Sequence, residues 1–135
     1  MLIEWTPDMS VGIGEIDVQH RKMVRKLNDI ADAVGASKDK EEIQEAIKYF
    51  EVYSEEHFRT EEGFMTLYKY PEYAGHKKDH DKIMADTAEI RERFSKGQAD
   101  AKEVYEAGKK VADWFVNHMK TTDSRMAIFL RGKVK

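Results

Sequence analysis

From about residue 17 onward, apolar residues recur at intervals of three and four, the spacing of one face of an α-helix. Short polar breaks divide them into four long stripes. The first runs Met23, Val24, Leu27, Ile30, Ala31, Val34 and predicts a helix over 17–35, with Asp17 as its N-cap and Gly35 at its end. The second, Ile43, Ala46, Ile47, Phe50, Tyr53, Phe64, Met65, predicts a helix over 39–69. Asp39 with Glu42 three residues on is a capping-box signature, and Pro71 marks the stop. Pro71 suits the first turn of a third helix over 71–96, where a missing N–H costs nothing. That helix carries Tyr73, Ile83, Met84, Ile90 and Phe94 and ends near Gly97. Asp100 and Glu103 repeat the capping box and open a fourth helix over 100–121 with Val104, Val111, Trp114 and Phe115. A shorter segment over 122–131 holds Met126, Ile128, Phe129 and Leu130.

Four amphipathic helices of similar length on short loops predict an all-α fold, an antiparallel up-down-up-down four-helix bundle. Residues 1–16 read as an irregular N-terminal arm that offers Trp5 and Ile13 to the bundle, and 122–131 as a C-terminal helical segment. Nothing repeats at a solenoid period and no low-complexity linker divides the chain, so 1–135 is expected to form a single domain.

Several residues on the apolar stripes are polar. Stepping back by four from Val24 lands on His20. His57 and Glu61 fall on the stripe of the second helix, His76 and His80 share the face of Tyr73 and Ile83, and His118 shares that of Val111 and Phe115. All five histidines of the chain therefore point inward. One inward histidine is ordinarily a core residue bonded to a carbonyl or a tyrosine, and an HxxxH pair alone is common on surfaces. Glu61 changes this, because a buried carboxylate without a partner is very costly. Asp123 follows five residues after His118, off the face of a regular helix, and turns inward only if the helix has ended or loosened there.

In an antiparallel bundle the start of the first and third helices and the end of the second and fourth are the same end. The seven groups His20, His57, Glu61, His76, His80, His118 and Asp123 thus converge on one cavity, where a metal centre would satisfy them all. Imidazole with carboxylate suits iron, zinc, manganese or copper better than calcium or magnesium. Seven donors exceed one tetrahedral zinc. They suit two octahedral ions with both carboxylates bridging, and an added bridging oxygen leaves one position open.

Composition narrows the field further. The formal charge of −3 gives no general pull toward nucleic acid or anionic membranes, and Lys133 and Lys135 read as a solvated basic tail. The absence of cysteine excludes thiolate ligation and disulfides. No apolar run approaches the roughly 20 residues of a membrane span, and the opening MLIEWTPDMS lacks the pattern of a secretory signal. A cytoplasmic location without membrane insertion, and a monomer, are the expectations. No phosphate-binding glycine loop or nucleophile triad is visible. Lys77, Lys78 and Asp79 lie on the outer face of the third helix and read as solvation.

The set His57-Phe-Arg-Thr-Glu61, His76-Lys-Lys-Asp-His80 and His118-Met-Lys-Thr-Thr-Asp123, preceded by His20 in Asp17-Val-Gln-His20, resembles the hemerythrin family, in particular its single-domain bacterial members. The likeness spans nearly the whole chain. It implies a non-haem di-iron centre that binds dioxygen reversibly. By resemblance, His76, His80 and His118 would serve one iron, His20 and His57 the other, with Glu61 and Asp123 bridging. The open position would lie on the iron with two histidines. There dioxygen would take two electrons from the diferrous pair and a proton from the hydroxo bridge and be held as a hydroperoxide, and release would reverse these steps. The expected role is a dioxygen carrier or store without catalytic turnover. The alternatives are a dioxygen or redox sensor domain and a di-iron enzyme handling peroxide or nitric oxide. Trp114, Phe115 and Met119, flanking His118, are candidates to line the dioxygen pocket, and ordinary core packing explains them as well.

Overall fold

The computed structural model describes residues 1–133, so Lys135 of the basic tail lies outside the described residues. Lys133 is exposed, with its ammonium 4.9 Å from the centre of the Phe129 ring. The chain forms a bundle of α1 (Gly14–Gly35), α2 (Lys40–Leu67), α3 (Tyr73–Ser95) and α4 (Ala101–His118). A π-helical segment, Met119–Asp123, then leads into α5 (Ser124–Leu130). Each long helix packs on the next and α4 returns to α1, closing the four sides. Among the described residues, no helix is long and apolar enough to cross a membrane.

The stripes form the helices, and most corrections fall at the ends. α1 begins at Gly14, three residues before Asp17, and its N-cap is Ile13 in an extended conformation. Asp17 instead clamps the arm, its carboxylate accepting from the Val11 N–H at 2.8 Å and the Ser10 hydroxyl at 2.6 Å. Gly12, with φ of +77°, supplies the turn between arm and helix, a conformation that favours glycine. Asp39 caps α2 by accepting from the Glu42 N–H at 2.9 Å, while both halves of the capping box form at Asp100 and Glu103. Pro71 is not in the first turn of α3. The chain reverses at Lys69 (φ 56°) and the Tyr73 N–H bonds back to the Tyr70 carbonyl, so the turn consumes residues through Glu72. α4 ends at His118, short of 121, because the hydrogen-bond ladder widens there; the Ser124 hydroxyl reaches back five residues to the Met119 carbonyl at 3.0 Å.

The arm is ordered by Asn28 on α1. Its side-chain oxygen accepts from the N–H groups of Leu2 (2.7 Å) and Ile3 (3.0 Å), and its amide donates to the Ile3 carbonyl at 2.7 Å. These bonds satisfy backbone groups that a loop crossing apolar side chains would otherwise leave unpaired. Ile3, Met9, Val11 and Ile13 of the arm are buried, and Trp5 is half-buried under the Arg21 guanidinium.

The core divides into two apolar clusters. One is dominated by the long helices, with Leu27, Ile30, Ile47, Phe50, Ile83 and Val104 among its members. The other joins the arm, the α2–α3 turn and α5 through Val11, Ile13, Ile16, Met65, Tyr70, Met126 and Leu130. Each fully buried side chain of this size contributes on the order of 1.5–3 kcal/mol. Ile128, counted with the C-terminal stripe, faces solvent.

Candidate metal centre

The level between those clusters is polar. His20 follows Ile16 of one cluster and precedes Met23 and Val24 of the other on the same face of α1. His57 and Glu61 are one turn apart on α2, and His76 and His80 occupy the first turns of α3. His118 is the last residue of α4, and Asp123 the last of the π segment. The wider π turn brings residue i+5 back toward residue i, so Asp123 faces inward beside His118 where a regular helix would turn it away. All seven predicted groups meet here, each no more than 3% exposed.

Their arrangement has two halves. Glu61 Oε2 lies 3.0 Å from His57 Nε2 and 3.4 Å from His20 Nε2, and Asp123 Oδ2 lies 3.0 Å from His20 Nε2. On the other side, Glu61 Oε1 lies 3.3 Å from His76 Nε2 and 3.2 Å from His80 Nε2. Asp123 Oδ1 is 3.0 Å from the Nε2 atoms of both His76 and His118. Each carboxylate thus turns one oxygen to a two-histidine set and the other to a three-histidine set.

None of these Nε2 or carboxylate atoms makes a directed hydrogen bond, despite being buried. The short separations are side-by-side approaches of atoms aimed into shared space. Buried polar groups are ordinarily paired, and this many orphans at one level fit a cation that accepts lone pairs from all of them. Two donor sets, Glu61, His76, His80, His118, Asp123 and His20, His57, Glu61, Asp123, each gather ligand atoms within 4.8 Å of one another and could hold a metal ion.

Without a metal, protons supply the missing positive charge. Burial pushes His20 and His76 down, but the Asp123 and Glu61 carboxylates prevail and raise both to about 9. For His57 burial outweighs Glu61, and its pKa is lowered. Burial acts to raise Glu61, yet His57, His20 and His76 hold it well below the usual carboxylate range. Asp123 is likewise held low by His118 and His20 against burial and the neighbouring Glu61 charge.

Residues around the cluster fix the imidazoles. With Nε2 aimed inward, the other ring nitrogen carries the hydrogen. His57 Nδ1–H donates to Gln19 Oε1 at 2.9 Å, and the Gln19 amide is oriented by donating to the Thr60 hydroxyl at 3.1 Å. His80 Nδ1–H donates to Glu62 Oε2 at 2.9 Å. Phe58 stacks on His80 with centroids 4.0 Å apart, Trp114 stacks on His118 at 4.5 Å, and Phe115 meets His20 edge-on at 5.6 Å. Sequence reasoning named Trp114, Phe115 and Met119 but missed Gln19, Phe58 and Glu62. Each of these adjoins a predicted ligand in sequence, which was the one available signal. It is weak, because neighbours in a helix point about 100° apart.

The chain is similar to known proteins over almost its full length. The model of the hemerythrin HHE cation binding domain matches residues 11–129. A bacteriohemerythrin of Methylococcus capsulatus is 32% identical over 126 residues, covering 90% of this chain and 92% of that protein. One from Stenotrophomonas maltophilia is also 32% identical over 126 residues, covering 93% of this chain and 80% of its own. A crystal structure of wild-type hemerythrin superposes with a TM-score of 0.88 at 28% identity, covering 96% of this chain and 98% of that one. With a four-helix bundle, a buried histidine–carboxylate cluster and a family model spanning most of its length, the chain belongs to the hemerythrin family.

Proposed function

We propose that this protein binds dioxygen reversibly, as a carrier or store without catalytic turnover, at a non-haem di-iron centre. His76, His80 and His118 would hold one iron and His20 and His57 the other, with Glu61 and Asp123 offering an oxygen to each. The division of carboxylate oxygens carries this reading. Both carboxylates present one oxygen to each histidine set, which suits two ions side by side and is wasted on one. The donor balance supports a transition metal, iron among them, over calcium or magnesium: imidazole nitrogen with few carboxylates suits such an ion.

When bound, the ions supply the electrons for reversible capture of dioxygen. The chain does the rest. Gln19 and Glu62 hold the tautomer and ring plane of one histidine in each set. Phe115 and Met119, both fully buried, keep water from the cluster, and Phe58 and Trp114 close over two of the imidazoles. A largely apolar cleft of about 440 Å³, lined by residues of all four long helices, reaches Trp114. Trp114 stacks on His118, so the cleft, whose lining also includes Lys82, Asp86, Glu89, Arg93 and Lys110, ends one side chain from the cluster. No histidine is left over as a general acid, which favours binding over turnover.

The test is metal analysis with visible spectra of the reduced protein before air, in air, and after removal of oxygen. Two irons per chain and an absorption that appears in air and reverses support the reading. Irreversible oxidation without an oxygenated form overturns it, and steady turnover of peroxide or nitric oxide would assign an enzyme instead.

A further inference from the structure

Each histidine set contains one imidazole with a defined partner on its outer nitrogen, and the two partners differ in charge. His57, of the two-histidine set, donates to the neutral amide oxygen of Gln19. His80, of the three-histidine set, donates to the carboxylate of Glu62 at the same distance, 2.9 Å. His80 is 1% and Glu62 20% exposed, so this bond is largely shielded from water. Phe58, stacked on His80 with an interplanar angle of 11°, prevents the ring from rotating out of it. The Gln19 amide cannot flip to mimic a different partner, because its nitrogen is engaged by Thr60.

An acceptor on the outer nitrogen orients a ligating imidazole. A charged acceptor also draws the Nδ1 proton and increases electron donation from Nε2, which a neutral amide does far less. Stronger donation stabilises the higher oxidation state of the ion that receives it.

We infer that Glu62 is a positioning and tuning residue which, through His80, makes the two metal positions unequal, holding the ion of the three-histidine set in its oxidised form more strongly than Gln19 and His57 hold the other. This rests on the di-iron reading above. The two ions then accept electrons at separate potentials, with the ion beside His80 the harder to reduce. This inequality comes on top of the three-against-two division of the histidines, and its source is the residue next to Glu61 set against the residue next to His20.

The full chain, loaded with iron, is titrated with reduced mediator dyes that donate one electron per step, and the two midpoint potentials are followed by visible absorption. Four proteins are compared: wild type, Glu62→Gln, Glu62→Ala and Gln19→Glu. In Glu62→Gln the introduced amide oxygen can still accept from His80, so this change removes the charge but keeps the bond. It is expected to retain two irons and to raise one potential by about tenfold in the equilibrium constant, about 59 mV for one electron. Gln19→Glu should lower the other potential by a similar factor, narrowing the gap. Glu62→Ala loses bond and charge, and should also lose iron faster to a chelator. Shifts of less than about twofold in the equilibrium constant in both charge variants would overturn the inference while leaving the di-iron reading intact. If Glu62→Gln fails to hold iron, Gln19→Glu decides alone, an unshifted potential there rejecting the proposal. A wild-type chain that retains no iron overturns both readings together.

Discussion

The two apolar clusters that sandwich the polar level are built differently. The larger is dominated by regular helices packing side by side, with Leu27, Ile30, Ile47, Phe50 and Val104 interdigitating as in any bundle. Its near edge, Phe58 and Phe115, meets the imidazoles, while Leu27 lies two turns of α1 beyond His20. The smaller joins pieces that have no regular relation to one another: Val11 and Ile13 from the arm, Tyr70 from a turn, Met126 and Leu130 from α5. These pieces are tied by the Asp17 clamp on the arm and by Arg131, whose guanidinium donates to the Val11 carbonyl at 3.3 Å. Asp123 leads directly into α5, so the small cluster anchors one of the two carboxylates that serve both histidine sets. Damage to the large cluster away from the imidazoles, as at Leu27, should cost stability alone, whereas damage to the small one should cost stability and metal together.

The largest effect should come from the polar level itself. If this level is closed by metal rather than by packing, stripping iron with a chelator should lower unfolding free energy by about 4 kcal/mol where free iron had stood a thousandfold above its dissociation constant. His76→Ala should mimic that loss, with iron content and any oxygenated spectrum both gone. Wild-type iron content and dioxygen binding in this variant would remove His76 from the ligand set.

Next are matched truncations in the two clusters. Leu27→Ala and Met126→Ala each empty a fully buried site and should cost about 2–5 kcal/mol in urea denaturation of the metal-free chain. Only Met126→Ala should speed the release of iron to a chelator, because α5 shifts with Asp123. Equal rates of release in the two variants would erase the distinction between the clusters.

The same contrast explains what could be read from sequence. The large cluster, the four helices and six of the seven polar groups follow from a period of three and four, since regular helices make face a function of position. Asp123 was legible only conditionally: five residues from His118 is the wrong step for an α-helix, and the π widening that corrects it is a backbone adjustment with no residue signature. Asp17 looked like a helix cap because a cap and a loop clamp want the same short carboxylate. Pro71 was misplaced because a turn and a first helical turn both accept proline. Gln19 and Glu62 act across helices, on His57 and His80 respectively, and a one-dimensional pattern does not say which neighbour a long polar side chain will reach. Inward direction followed from helical period; partnership required the packed structure.

A third test uses pH to separate protons from metal as the closing charge. In the metal-free chain His20 and His76 stand at about 9 against an ordinary 6.5. Their stabilisation is complete below about 6.5 and is lost as pH rises through about 9. On the acid side His57, lowered by burial, and the depressed carboxylates Glu61 and Asp123 contribute above their ordinary values and lose that contribution as pH falls. Metal-free stability should therefore peak near pH 6.5 and decline toward 9. A metal needs neutral imidazoles, so its affinity should climb over that same interval as fewer protons must be displaced. Denaturation midpoints at pH 6.5 and 9, with and without a redox-inert divalent ion such as zinc, would reveal it. A metal-free midpoint that does not fall by pH 9 would show that His20 and His76 are not the groups balancing the carboxylates.

The smallest effect compares two aspartates at opposite ends. Asp100 caps α4 at the end remote from the polar level, accepting from the Glu103 N–H at 2.8 Å. Asp17 performs similar chemistry at the near end, accepting from Val11 and Ser10. Each aspartate to alanine change should cost about 1 kcal/mol, the usual worth of a short carboxylate satisfying backbone donors. Their consequences should then part. Asp100→Ala frays a helix start far from any ligand, and iron release should match wild type. Asp17→Ala frees the arm, whose Val11 and Ile13 cover Ile16 and Met126, so water should reach the cluster more often and release should quicken at equal cost in stability. Finding iron release accelerated equally by both changes would mean that global unfolding alone sets the rate, and that the small cluster has no local role in guarding the centre.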